Sequence, residues 1–176
     1  TGILTAIEVV LYIVGTFLKI GNITINLALV PICVGAILYG PFTGAFLGLV
    51  NGVAVLITPD TQAFFMNTEL FGEWCILGTF IIVKCTIAGL LSYFIYKPFK
   101  NKVVGSIFAS LSVPIINTGL FILGAFVFYT TEFSTILSWV ITLNFLIEIG
   151  TSILLSPAIV RIITYIKPYK KDEKSK

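Results

Sequence analysis

Between Ile25 and Gly52 the chain carries no charged side chain: INLALVPICVGAILYGPFTGAFLGLVNG. Proline suits the first turn of a helix, where its missing N–H would be unpaired in any case, so Pro41 marks a helix start. The run therefore reads as two apolar helices joined by a turn at Tyr39-Gly40-Pro41. Gly44, Gly48 and Gly52 recur at every fourth position, which lines them along one face and lets another backbone approach closely. A hairpin of this kind satisfies its own backbone hydrogen bonds, as a segment within lipid must.

Hydrophobic residues make up 57% of the chain and charged residues 11%, with a mean hydropathy of +1.06. Soluble domains carry about 25% charged residues. The expectation is an all-α integral membrane protein. Its 176 residues hold about six spanning helices of ~20 residues with short connections, and leave no room for a soluble catalytic domain. Cys33, Cys75 and Cys85 lie in or beside apolar segments and read as small buried hydrophobes rather than a disulfide framework. No cleavable signal peptide is expected.

The spacing predicts one transmembrane domain over residues 1–176, with spans at about 1–18, 26–39, 41–57, 75–96, 103–129 and 133–166. Pro114 is expected to kink the fifth span and Pro157 to interrupt the sixth. A basic tail, 167–176, follows. The longest connection, Thr58 to Trp74, mixes polar residues with aromatics and reads as a binding loop or lid. Lys97, Lys100 and Lys102 share a side with Arg161 and the lysines that end the chain. The other side has Lys19 against Asp60, Glu69, Glu73 and Glu132. The positive-inside rule then places both termini in the cytoplasm and the long loop outside.

The informative residues are the polar ones within spans. Lys84 is some nine residues into span four, ~13 Å below the outer surface at ~1.5 Å per residue. Asn144 and Glu148 enter span six from the same side and are four apart, hence on one face. Asn117 and Thr118 reach a similar level in span five. Intramembrane ionisable groups are costly and usually line a cavity or pair, so this level is the candidate site, with a Lys84–Glu148 ion pair that only fixes packing as the alternative. Glu8 and Asn51 also reach the middle, as packing or partner residues.

The chain has no histidine, which removes a histidine-based triad and any histidine-ligated zinc; no catalytic or metal-ligating residue is expected. It has no G-x-x-x-x-G-K-[ST] loop, so ATP cannot bind it through a P-loop of its own. No nucleic-acid partner is expected. A pocket for a small organic molecule fits best, with Asn67, Phe71 and Trp74 at its mouth alongside Phe64 and Phe65.

The strings LVPI at 29–32, GAILYGPFTG at 35–44, PIINTG at 114–119 and NFLIE at 144–148 resemble those of the substrate-binding S components of energy-coupling factor (ECF) vitamin importers. The likeness covers nearly the whole chain in length and six-span organisation. It implies a subunit that binds a vitamin from outside, joins a transmembrane coupling subunit and two ATPases that carry the ATP and Mg, and topples to release its cargo inside. The family's small-xxx-small face on the first helix would fall on Gly2 and Ala6; the family prefers alanine at both places, and Gly2 departs from it. The NTG and NFLIE strings are most similar to pantothenate-type members, and Lys84 supplies the cation a small carboxylate requires. Riboflavin, folate or a queuosine precursor are the alternative ligands. An ion-coupled secondary transporter would accumulate substrate without ATPase partners, and a purely structural membrane protein would be stabilised by no vitamin.

Overall fold

Gly40 and Pro41 make the corner between two adjacent helices. Gly40 has φ 102° and ψ 178°, a conformation essentially reserved to glycine, and Pro41 opens the next helix immediately. One residue thus reverses the chain between helix α2 (Leu29–Tyr39) and helix α3 (Pro41–Ile57). The structure is a computed structural model that describes residues 1–20, 23–24, 26–59, 61–62, 71–128 and 145–172. Helix α1 (Gly2–Phe17) precedes the hairpin, and α4 (Phe71–Tyr96), α5 (Lys102–Phe128) and α6 (Phe145–Asp172) follow it. Between α1 and α2, strands β1 (Lys19–Ile20) and β2 (Ile23–Thr24) pair antiparallel, Lys19 opposite Thr24 and Ile20 opposite Ile23. This small ladder is the one departure from an all-helical fold among the described residues.

The glycine stripe of α3 does what its spacing predicts. A Cβ at Gly44 would strike the carbonyl oxygen of Gly89, one at Gly48 that of Cys85, and one at Gly52 would lie 2.7 Å from Cα of Ile82. Rising numbers on α3 meet falling numbers on α4, so the two helices run antiparallel with their backbones in near contact. Helix α2 is central: it touches α1, α3, α4, α5 and α6, and its residues from Pro31 to Ile37 are all buried. A helix apolar all round needs burial on all sides, and this one obtains it from protein.

Three expectations need correction. Helix α4 begins at Phe71 rather than Cys75, because a single glycine such as Gly72 weakens a helix without ending it. Helix α6 passes unbroken through position 157 and continues to Asp172, beyond the predicted end at Ile166, since one missing N–H leaves the bonds of the flanking turns in place and lysines are good helix formers. Pro114 is inside helix α5, as the sequence places it. The stretches 133–144 and 63–70 lie outside the described residues.

Polarity is distributed inside out. Glu8, Asn51, Lys84, Asn117 and Glu148 are buried, while Ile3, Phe17, Phe42 and Leu154 are at least 77% exposed. Water would drive the opposite arrangement; a hydrocarbon surround permits this one. Gly78–Tyr96 and Lys102–Gly124 are long and apolar enough to cross a membrane, and α1, α2 and α3 are apolar but shorter. Buried hydroxyls on these helices turn back to their own backbone, Ser92 to the Gly89 carbonyl and Ser112 to that of Ala109.

Candidate functional site

Helix α5 lies against both α4 and α6. Successive residues of a helix point ~100° apart, so Asn117 and Thr118 can serve different neighbours. Asn117 turns to α4, where Lys84 Nζ donates to its Oδ1 at 2.9 Å. Thr118 turns to α6, and its hydroxyl donates to Glu148 Oε2 at 3.1 Å. All four side chains are at most 7% exposed. The level at which the sequence places Lys84, Asn117, Thr118 and Glu148 is therefore a single polar cluster shared by three helices.

Its wiring differs from the simplest expectation. Lys84 and Glu148 do not form a direct ion pair: each bonds to a neutral partner on α5, although the two charges lie within each other's field. Lys84 also has its ammonium over the ring of Phe121, 5.4 Å from the centroid, where the ring's negative face attracts a cation. Phe121 is one helical turn beyond Asn117 and on the same face. Among the described residues the ammonium donates to Asn117 and sits over Phe121, both neutral, which leaves N–H groups suited to receiving an anion.

Two members of the cluster were not assigned to it from the sequence. Cys85, read as a small hydrophobe, donates its S–H to Asn117 Oδ1 at 3.4 Å and accepts from Asn51 Nδ2 at 3.7 Å. Asn51, read as a packing or partner residue, is 1% exposed and reaches the cluster through that sulfur. The available signal was adjacency: Cys85 follows Lys84, and Asn51 precedes the stripe glycine Gly52. Cys33 stays in the apolar core, as expected of a small hydrophobe. Glu8 is 1% exposed, and among the described residues neither of its carboxylate oxygens is hydrogen-bonded and Asn51 Oδ1 is without a partner.

Asn67 and Asn144 lie outside the described residues, as do the side chains of Phe71 and Trp74. Gly2 and Ala6 are exposed on α1, far from burial, and nothing comes within 4 Å of a Cβ placed on Gly2.

A family model described as "ECF transporter, substrate-specific component" matches residues 1–160. The pantothenic acid transporter PanT of Lactococcus lactis subsp. cremoris (strain MG1363) is 30% identical, over 76% of this chain and 74% of its own length. No solved structure matches.

Proposed function

The chain belongs to the substrate-specific components of ECF transporters, membrane proteins that bind a transporter's cargo and are not themselves enzymes, and from that premise we propose that it captures pantothenate at the outer side of the membrane. The observation that carries this reading is the buried cluster of Lys84, Asn117, Thr118 and Glu148 in an otherwise apolar bundle. Pantothenate has an anionic carboxylate at one end and hydroxyl and amide N–H donors along its length. Lys84 with Asn117 suits the first, and the Glu148 carboxylate, an acceptor, suits the second. The name of the lactococcal relative supports the same ligand. By their sequence positions, Asn67, Phe71 and Trp74 at the mouth and Asn144 at the level of Glu148 complete the binding set.

In this reading the chain spans the membrane six times with both termini in the cytoplasm. It docks through the exposed Gly2–Ala6 face onto a transmembrane coupling subunit served by two ATPases, which bind ATP and Mg. The chain alone binds substrate and does not accumulate it.

Titration calorimetry of the purified chain with pantothenate tests the assignment. Lys84→Met should weaken binding by about 10- to 150-fold, the value of roughly 1.5–3 kcal/mol for a charge-assisted hydrogen bond. Since Glu148 is held by Thr118, the further change Glu148→Gln should not restore affinity. A double variant that binds as well as the parent would remove Lys84 from the site.

A further inference from the structure

Asn117 meets Lys84 and Cys85 with the same atom. Its Oδ1 accepts from Lys84 Nζ at 2.9 Å and from Cys85 Sγ at 3.4 Å, so its NH2 is directed elsewhere. Cys85 has a single S–H to give. Asn51 Nδ2 donates to the sulfur from the other side at 3.7 Å, which occupies the acceptor role and leaves the proton to Asn117. Donors thus run in one direction, from Asn51 on α3, through Cys85 on α4, to Asn117 on α5. The three side chains are 1%, 2% and 7% exposed, so water does not compete for these bonds.

We propose that Cys85 is a positioning residue that locks the Asn117 carboxamide with its NH2 toward the ligand, and that this lock gives the site its preference for an acceptor-only carboxylate. The proposal rests on the reading that Lys84 receives the ligand's anionic end. With the anion sharing the Lys84 ammonium, the thiol is the second donor that keeps Oδ1 in place. The consequence is selective. A carboxylate accepts only and needs the NH2 face of Asn117, whereas a hydroxyl donates or accepts and is indifferent to which way the amide points.

The test compares pantothenate with its alcohol counterpart, in which CH2OH replaces the carboxylate, by calorimetry on the purified full chain. Cys85→Ala should weaken pantothenate about 3- to 10-fold, the range for loss of one neutral hydrogen bond, and leave the alcohol within about twofold. Cys85→Ser, whose hydroxyl both accepts and donates, should keep pantothenate within about twofold of the parent and guards against a Cys85→Ala chain that does not fold. Equal weakening of both ligands by Cys85→Ala, or no weakening of either, overturns the positioning role. Lys84→Met is measured in the same series. If it weakens pantothenate while Cys85→Ala does not, the positioning role fails alone; if neither variant matters, the site assignment fails with it.

Discussion

At the scale of single residues, partner chemistry decides what a buried polar group costs. Lys84 has a lone pair to bond to, a ring beneath it and a carboxylate within its field. Glu8 has no hydrogen bond to either carboxylate oxygen, though it is equally deep. A buried charge without a partner is strongly unfavourable, and replacing it with a neutral group of the same shape removes that penalty. Glu8→Gln is therefore expected to raise the thermal midpoint in detergent at a pH where the parent carboxyl is charged, while leaving pantothenate affinity near that of the parent, because among the described residues Glu8 bonds to none of the cluster. A lower midpoint would mean that the carboxylate holds something the neutral amide cannot. The sequence showed that Glu8 and Asn51 were deep; it could not show that one would be stranded and the other wired to Cys85.

At the scale of elements, the antiparallel contact of α3 with α4 sets the geometry of the cluster. Cys85 supplies both the carbonyl that lies over Gly48 and the thiol that bridges Asn51 and Asn117. Gly48→Ala brings two opposing effects. Alanine favours a helix over glycine by about 1 kcal/mol, but its methyl would collide with backbone, and overpacking costs about 1–3 kcal/mol or more where the neighbour cannot yield. The collision should win: Gly48→Ala is expected to lower the thermal midpoint and weaken pantothenate binding together, since the displaced Cys85 carries the thiol with it. Gly2→Ala, with open space around its Cβ, serves as the control: it should not lower the midpoint and should leave binding unchanged. A stable Gly48→Ala chain would show that the two helices can separate without cost. The glycine spacing announced this contact. The identity of the facing residues did not appear until the helices were docked, because a stripe specifies a close approach and not its partner.

At the scale of the whole molecule, Glu8, Lys84 and Glu148 are buried between helices whose outer faces carry exposed apolar side chains such as Ile3, Phe42 and Leu154, as a lipid surround permits, while Lys97, Lys100, Lys102 and Arg161 are exposed. The proposed sidedness is open to direct measurement. Reporters fused after Lys176 or inserted near Asn101 should be cytoplasmic, and one near Asn67 external, given the lysines around the first two sites. With that orientation the start of α1 is on the inner side, so Ala6→Trp should abolish co-purification with the coupling subunit and leave pantothenate affinity near normal. An external C-terminus, or lost binding with intact assembly, would reverse the assignment.

The amino-acid sequence alone determined the membrane class, the α2–α3 hairpin with its corner at Gly40-Pro41, the close-packing face of α3 and the level of the polar cluster, because hydrophobicity, backbone preference and helical period are local properties. It also carried the family resemblance in its strings. Only the tertiary structure decided that α2 is enclosed by five neighbours, that Lys84 bonds to Asn117 rather than to Glu148, and that Cys85 is a hydrogen-bonding group rather than filler. Those choices turn on separations of an ångström or so between helices distant in sequence, and hydrogen bonds weaken too steeply with distance and angle for spacing along one chain to predict them.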